Sequence, residues 1–590
     1  MPKSAANGPR RRVAFWGIVD VKYNVQLPED QRIQVLELGD GSTSGFSLHG
    51  RHIREKFYTH YCMDREPLRC AVVVENKQFT HDRFVGEGFA HLRPPAVSYP
   101  RVYMPDLASK LLADLNIVDA TSLVVLKLCN RSRGAGVVVV STVELDAVLQ
   151  KLLTPPSSEE LETMLSMSCL DAMRRKFSSG LEESCLHWWS NECPFFIAER
   201  CCHSMPVSVS SESGGEPENF DGTMRVSFVL LRSYPGGENV SGHESTTVSF
   251  TAGPMTLEWL GGYWKLPRSP TTRGDHEFVD VNEPGLMDVS LDTVLDARMD
   301  RVVSSFNAGD KLTAEAMPNH LNEVFAKLAP VLPKVLRAAC WTPNEIRQLY
   351  ADEQPAFCAY VLARASTAQR ASRPAEALKM LDEAKRFLPA SQHEATTGLA
   401  TQAVTSYVER NAAVCSILDK SWDRARAAAE LAVRALPSNA TAHYTLGLLQ
   451  REMRRTALVC ECMLRSVILD PDFKLSYIAL GTALLSLGRF KEAAEVSSAC
   501  LKRYPDSPAA KMNRGQALYQ QIWAANGVAD EGLCFEAAAS LQQAKERVPD
   551  QWQAAHEGML QWLIASSEQR CRKGQQRLPV VLWHVEGWRP

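Results

Sequence analysis

The apolar and polar residues of this chain follow two periods, one typical of strands and one typical of helices. Short runs of leucine and β-branched residues bounded by polar turns, such as Leu123–Leu128, predict strands. Leucines at helical spacing after a possible N-cap predict a helix, and these residues are Asp106, Leu107, Leu111, Leu112 and Leu115. The segment T-P-P-S-S-E-E at 154–160 marks a loop and a further helix start. The first half is therefore expected to mix strands and helices.

The C-terminal third carries an internal repeat. Its period of 34 residues separates Pro437, Pro471 and Pro505, and likewise Gly447, Gly481 and Gly515. A helix–turn–helix unit of this length resembles the tetratricopeptide (TPR) repeat. Continuous units are expected from Ser406 to Gln542, with an earlier one at Ala356–Pro389. The resemblance implies an all-α TPR solenoid with a concave groove that recruits a peptide or protein partner.

Composition and charge change the picture only a little. The 590 residues are 45% hydrophobic and 23% charged, as in an ordinary globular protein, and the net charge of −3 gives no electrostatic case for a nucleic-acid or membrane partner. No apolar run is long enough to predict a transmembrane helix, and the N-terminus lacks the apolar core of a signal peptide. The 16 cysteines lie mostly in apolar segments, which predicts reduced thiols and a cytoplasmic protein.

Several cysteines and histidines lie close together in the middle of the chain. They include Cys185, His187, Cys193 and Cys201, but no C-x-x-C pair frames them. Structural zinc sites normally use such pairs. The pattern therefore favours buried packing residues over zinc ligands.

The segment at 123–140 reads L-V-V-L-K-L-C-N-R-S-R-G-A-G-V-V-V-V. An apolar strand carries Lys127, a polar loop with Gly134 and Gly136 follows, and a second strand leaves the loop. A lysine within a strand is costly unless it is paired or faces a ligand, and glycines let backbone N–H groups approach an anion. The segment indicates a phosphate-binding loop. The alternatives are a snorkelling lysine and a plain hairpin turn.

A polar pair follows downstream in F-V-D-V-N-E-P-G at 278–285. Asp280 and Asn282 are two residues apart on a predicted strand, so both oxygens can face one cation, and Mg²⁺ prefers such oxygens. The alternative is a turn built by the same residues. The lysine strand, the glycine loop and this pair, in this order, resemble the ATP-grasp family over about residues 30–290.

The resemblance implies roles for further residues. Lys110, on the helix before the lysine strand, would be a second phosphate lysine beside Lys127. Glu199, in F-F-I-A-E-R, would contact the adenosine of ATP. Arg225, on the strand after it, would face the transferred phosphate, and Lys265, in G-G-Y-W-K-L-P, would face the same cleft. These two residues are the candidate catalytic groups.

The chain departs from the family pattern at several positions. The residue after the strand lysine is Leu128 where proline is usual, and Asp280 stands in place of a glutamate. A further acidic metal ligand of the family has no secure counterpart. Glu258 and Asp275 are both candidates.

The function implied is that of an ATP- and Mg²⁺-dependent carboxylate–amine ligase. ATP would convert a substrate carboxylate to an acyl phosphate that an amine attacks, and the TPR groove would recruit a peptide or protein. Two alternatives stay open: a non-catalytic ATP-binding TPR scaffold, and an ATP-grasp kinase that phosphorylates a hydroxyl.

The expected fold class is an α+β ATP-grasp-like N-terminal half followed by an all-α TPR half. The domains expected are an α/β pre-ATP-grasp segment at 1–105, an ATP-grasp-like domain at 106–290, a helical connector at 291–355, the TPR domain at 356–565 and a tail at 566–590.

Overall fold

The structure is a computed structural model of the chain. It describes residues 11–13, 15–21, 35–37, 47–49, 61–63, 77–120, 122–131, 136–201, 207–209, 218–220, 223–232, 255–265, 302–304, 326, 328–336, 374–385, 399–505, 507–524, 531–544 and 559.

The strands of the described residues all lie in the first 304 positions. They are β1 Arg11–Val13, β2 Phe15–Val21, β3 Val35–Glu37, β4 Ser47–His49, β5 Tyr61–Met63, β6 Ala96–Pro100, β7 Leu123–Leu128, β8 Val138–Ser141, β9 Phe195–Arg200, β10 Val207–Val209, β11 Glu218–Phe220, β12 Thr223–Arg232, β13 Met255–Lys265 and β14 Val302–Ser304.

The helices of the described residues run through both halves. They are α1 Lys77–Gly86, α2 Leu107–Asp114, α3 Leu145–Leu153, α4 Ser158–Leu165, α5 Cys169–Arg174, α6 Gly180–Ser190, α7 Leu332–Val335, α8 Pro374–Lys385, α9 Leu399–Leu418, α10 Trp422–Ala435, α11 Ala440–Glu452, α12 Thr456–Leu469, α13 Lys474–Ser486, α14 Phe490–Arg503, α15 Pro508–Ala524 and α16 Glu531–Ala544.

Contacts divide the chain into two compact units. One is formed from 1–150, 178–184 and 195–387, and the other from 151–177, 185–194 and 388–590. The second unit thus combines the C-terminal helices with two short stretches from the middle of the chain. The sequence had not indicated this grouping.

One four-stranded antiparallel sheet of the first unit has the order β6–β9–β7–β8, and we call it the lysine sheet. Along β7 the alternate residues Val124, Leu126 and Leu128 are buried, while Lys127 is half-buried on the opposite face. Apolar side chains on every second position bury one face of a strand. The predicted strands around Lys127 and Glu199 are confirmed.

Helix formation in this unit also follows the sequence pattern. Helix α2 begins directly after Asp106 and buries Leu107 and Leu111 completely. Its apolar stripe packs inward, as the spacing predicted.

A second four-stranded antiparallel sheet has the order β14–β13–β12–β2. The register of β12 against β13 shifts between Ser227 and Phe228. Strand β14 lies within the predicted helical connector at 291–355, so that part of the prediction is corrected. Its β-branched pair Val302 and Val303 suits a pleated strand, and the segment pairs with the end of β13.

The second unit is an array of antiparallel helix pairs. Each of α9–α10, α11–α12, α13–α14 and α15–α16 packs as a pair, and each pair packs on the next. The TPR-like all-α part predicted from the 34-residue period is therefore confirmed. A Cβ atom built on Gly515 would lie 2.6 Å from Leu541 Cγ, so this repeated glycine is required by the close approach of α15 and α16.

Helices α4 and α5 belong to the same unit and pack on α12 and α14. Leu161 and Leu165 of α4 form one apolar cluster with Ala440, Ile468 and Leu469 of the array. Helix α4 starts at the predicted position, with Ser157 and Glu160 forming a capping box. A segment from the middle of the chain thus covers part of the surface of the array.

Candidate functional site

The lysine sheet brings together two of the predicted ATP-binding residues. Lys127 of β7 forms an ion pair with Glu199 at the end of β9. Positions 127 and 199 lie on one face because β7 and β9 pair Lys127 with Ile197 and Val125 with Glu199. The Glu199 side chain is 7% exposed and the Lys127 side chain 26% exposed. The pair therefore lies at the border between core and solvent.

Arg93 joins this cluster, with Nη2 at 3.8 Å from Glu199 Oε1. Burial lowers the pKa of Arg93, and the Glu199 carboxylate partly offsets that effect. Burial also lowers the pKa of His81, as does the neighbouring charge of Arg93. Lys127 and Arg93 thus share the Glu199 carboxylate. Because two positive charges face one negative charge, an anion could bind to these two cations.

Hydrogen bonds from Lys77 hold the start of the loop that follows β7. Lys77 of α1 donates its backbone N–H to the carbonyl oxygen of Cys129 at 2.9 Å. Its ammonium group donates to the carbonyl oxygen of Leu128 at 3.1 Å. Gly136, at the far side of the loop, has φ of 69°, a conformation that favours glycine. Gly134 lies outside the described residues.

Lys110 lies away from the Lys127 pair. Its ammonium group lies 5.6 Å from the centre of the Tyr99 ring, and the Tyr99 hydroxyl donates to Asp114 of the same helix. Tyr99 pairs with Phe196, which pairs with Leu128, so these residues occupy the face opposite to Lys127. The structure does not bring Lys110 and Lys127 to one site. The resemblance to the ATP-grasp family had implied that both lysines contact the phosphates.

The two predicted catalytic residues lie on the second sheet. Arg225 of β12 pairs with Tyr263 of β13, and Lys265 pairs with Thr223, two residues before Arg225. Their backbone positions are therefore neighbours in the register. Glu258, one of the two candidate acidic ligands, pairs with Val229. The predicted metal ligands Asp280 and Asn282 and the candidate Asp275 lie outside the described residues.

A second candidate site lies on the helix array and was not predicted. Residues 185–194, which we call the docking segment, contact the loops that join one helix pair to the next. We call these two loops, 436–439 and 470–473, the inter-repeat ridge. Pro437 and Pro471 occupy the same place in successive repeats, and so do Ser438 and Asp472 one residue later.

The first contact of the docking segment is made by His187. Its Nδ1 lies 3.4 Å from Asp470 Oδ1 and its Nε2 lies 3.2 Å from Asp472 Oδ2. The ring nitrogens are at ion-pair distance but off the direction of a good hydrogen bond. Burial lowers the pKa of His187, yet attraction to Asp470 and Asp472 outweighs burial and raises the pKa to about 9. The two carboxylates therefore favour the charged form of the His187 ring.

Further contacts lie at the preceding repeat boundary. Ser438 donates its hydroxyl to the carbonyl oxygen of Trp189 at 2.7 Å. Glu192 accepts from Arg410 Nε at 2.6 Å and Nη2 at 3.0 Å, and from Asn439 Nδ2 at 2.9 Å. Such a two-pronged guanidinium–carboxylate pair fixes both position and orientation. The docking segment therefore contacts two successive boundaries through charged or polar groups.

The sequence contained one signal that could have indicated this site. His187 and Glu192 lie in the stretch 185–194, where two tryptophans, two cysteines and a leucine make burial favourable. A charged residue in such a stretch needs a partner. The partners lie about 220 to 285 residues away in the chain, and no local pattern could identify them.

Comparisons with known proteins add little to these observations. The chain matches no protein-family model and no curated protein. Among solved structures it is similar to a mutant of MamA, with 19% identity over 34% of this chain and 98% of that chain and a TM-score of 0.24. It is also similar to YrrB, titled as a TPR protein with an unusual peptide-binding site, with 18% identity over 36% of this chain and 96% of that chain and a TM-score of 0.26. Scores this far below 0.5 carry no functional conclusion.

In the part of the chain that the structure describes, no helix meets the length and hydropathy needed to cross a bilayer.

Proposed function

We propose that the chain is a scaffold whose TPR-like array binds a peptide or protein segment at the inter-repeat ridge. The observation that supports this function is the docking segment itself. A stretch of ten residues is held on the ridge by the His187, Trp189 and Glu192 contacts. The surface therefore has the chemistry to recognise a polypeptide.

The recognised chemistry can be described from these contacts. Asp470 and Asp472 attract a cationic side chain, and Arg410 with Asn439 attracts a carboxylate further along the same peptide. Ser438 donates to a main-chain carbonyl between them. The preferred partner is a segment with a cationic residue followed five residues later by an acidic one. Charged groups arranged in this way give direction and register more than raw affinity.

The test uses a labelled synthetic peptide of residues 185–194 under reducing conditions. In the full chain carrying His187→Gln and Glu192→Gln, the ridge keeps its own residues but its intrachain segment is weakened. We expect this variant to bind the peptide and the wild type to bind it at least about tenfold more weakly, because the wild-type segment competes at high effective concentration.

A matched control removes two charged partners of the peptide, Asp472 on the ridge and Arg410 on α9. Adding Asp472→Asn and Arg410→Gln to the same variant should abolish peptide binding. Absence of binding to the first variant at millimolar peptide, or equal binding to the control, contradicts the scaffold function.

A second function, Mg²⁺–ATP binding by the N-terminal unit, rests on the Lys127 cluster. Lys127 and Arg93 flank Glu199 on one face of the lysine sheet, next to the loop that ends at Gly136. These described residues suit a polyphosphate beside a ribose or base. Asp280 and Asn282 would hold the magnesium. Bound ATP would supply a phosphoryl group for a ligase that joins a carboxylate to an amine, or for a kinase that modifies a hydroxyl.

Thermal unfolding with and without Mg²⁺–ATP tests this second function. A ligand that binds only the native state raises its melting temperature by mass action. We expect a magnesium-dependent rise in the wild type that Lys127→Ala and Asp280→Asn abolish. Lys110→Ala is the matched control, because Lys110 is exposed on the opposite face of the sheet and its loss should leave the rise unchanged.

No rise at millimolar nucleotide contradicts ATP binding. If a rise occurs, ADP release then separates the two activities. A ligase needs a carboxylate and an amine together, whereas a kinase needs one hydroxyl acceptor and leaves phosphate on it.

A further inference from the structure

The His187 cluster contains more acidic groups than a neutral histidine could balance. Asp470 and Asp472 face the two ring nitrogens, and the Asp470 carboxylate also accepts from the backbone N–H of Asp472 at 3.1 Å. Arg503 of α14 pairs with Asp472. Two carboxylates and one guanidinium leave one buried negative charge unless His187 carries a proton.

The other titratable groups around His187 do not supply that charge. Tyr477 of α13 and Cys500 of α14 are buried, and burial raises the pKa of each group, so both are neutral near pH 7. The Tyr504 hydroxyl donates to the carbonyl oxygen of Asp472, and the ammonium group of Lys474 lies over the Tyr504 ring. Glu183, one turn before His187 on α6, adds a further acidic group on the same helix. A proton on His187 therefore supplies positive charge that the surrounding groups lack.

Because the His187 site is buried, the balance of charge there strongly affects the stability of the docked segment. The His187 and Asp470 side chains are each 2% exposed, so water cannot stabilise an unpaired carboxylate there. Attraction between charges is strong at such a site and the cost of leaving one unpaired is large. When the docking segment leaves the ridge, both the imidazole and the carboxylates return to water, where His187 titrates normally.

We propose that docking of residues 185–194 on the inter-repeat ridge takes up one proton on His187, so that the attachment of this segment to the array is linked to proton binding. The contact is strongest when the imidazole is charged and weakens when the proton is lost. This inference concerns the intrachain contact alone and does not depend on whether the ridge binds a partner.

The sign of the pH dependence follows from the pKa of His187. The docked value of about 9 lies above the ordinary value of 6.5, so the stabilisation is fully present below pH 6.5 and is lost as the pH rises through 9. Between pH 7 and pH 9 the opening equilibrium of the segment should rise on the order of tens of fold.

Amide hydrogen exchange of the full chain tests the proposal, with rates corrected for the intrinsic effect of pH. In the wild type, protection of residues 185–194 should fall by tens of fold from pH 7 to pH 9. His187→Gln should show low protection that no longer depends on pH in this range.

The matched control is His443→Gln. His443 is an equally buried histidine of the array whose ring contacts the Pro437 carbonyl oxygen, and burial lowers its pKa to about 4, so it does not titrate in this range. This variant should keep the pH dependence of the wild type. A wild-type segment whose protection is independent of pH, or a dependence that survives in His187→Gln, overturns the proposal.

A second measurement avoids the variants altogether. The ring resonances of His187 in selectively labelled wild-type protein should report an imidazolium at pH 7.5. A neutral ring at that pH overturns the proposal even if a variant fails to fold.

Discussion

The repeated glycine in the first helix of a pair shows how one missing side chain permits two helices to pack closely. A Cβ atom on Gly515 would lie 2.6 and 2.7 Å from the Leu541 side chain and 3.2 Å from the Leu541 backbone nitrogen. On Gly447 the nearest atom is Met463 Cε at 2.7 Å, the far end of a flexible side chain. Cys462 Cβ lies 3.1 Å from the same position, so both sites have one tight contact with a fixed atom. The sites differ in the contacts below 3.0 Å, which involve Leu541 Cγ and Cδ2 at Gly515 but only the flexible end of Met463 at Gly447.

We predict that Gly515→Ala destabilises the array by about 1–3 kcal/mol, since overpacking forces the helices apart. Gly447→Ala should cost less, because a rotamer change of Met463 removes the contact at 2.7 Å and leaves only the Cys462 Cβ contact at 3.1 Å. Urea unfolding followed by circular dichroism measures both. Equal effects of the two substitutions would contradict the close-contact explanation.

The repeated glycines could be predicted from the sequence, whereas His187 could not. Gly447, Gly481 and Gly515 recur at a fixed interval, and that interval alone identifies the interface of each helix pair. His187 has no repeated counterpart, and its carboxylate partners lie in a distant segment. Local pattern predicts which residues are buried, but it does not show which distant groups meet.

At the scale of elements, the ion pair of Glu192 with Arg410 connects the docking segment to α9. Both side chains are largely buried, at 10% and 14% exposure. Burial lowers the pKa of Arg410, but attraction to Glu192 outweighs it and raises that pKa. Loss of one partner would leave the other as an unpaired charge with little access to water.

We predict that Glu192→Gln lowers the free energy of unfolding by roughly 3 kcal/mol, because the Arg410 guanidinium stays buried without its counterion. The matched control is Glu430→Gln on α10, where the pair with Arg434 is 49% and 67% exposed. That change should cost less than about 1 kcal/mol. Chemical denaturation of both variants gives the comparison, and similar losses would argue against a buried ion pair.

The strand that carries Lys127 could be predicted from its run of apolar residues, and the strand that carries Glu199 from the family resemblance, but their arrangement could not be predicted. Leu123–Leu128 and Phe195–Arg200 are both strands as expected. Their pairing places Glu199 beside Lys127 but leaves Lys110 across the sheet. The face of the sheet that a helix covers depends on how the strands pair. The sequence of a single chain does not specify this pairing.

At the scale of the whole molecule, the reactivity of the buried cysteines indicates whether the helix array is folded. Cys169, Cys415 and Cys500 are buried, and burial raises the pKa of each thiol to about 12. Burial likewise raises the pKa of Cys460 and Cys462 to about 11. In the native protein, these cysteines therefore have little of the reactive thiolate form, and their sulfur atoms are shielded from reagents.

We predict that these five thiols resist alkylation by iodoacetamide at pH 8 and react together when the array unfolds in urea. Cys201, which is partly exposed, is the internal control and should react in the native protein. Mass spectrometry of peptides resolves the sites. Rapid native labelling of Cys460 or Cys500 would mean that the helix pairs open locally instead.

Two boundaries in contact with one short segment constrain how this array can change in length. Solenoids gain or lose whole units readily, because each unit touches only its neighbours. Here His187 reaches the boundary after α12 while Glu192 reaches the one after α10. Inserting one more helix pair between Pro437 and Pro471 would carry Asp472 a full unit away from its imidazole. The number of units between these two boundaries is therefore fixed by a segment that lies outside the repeats.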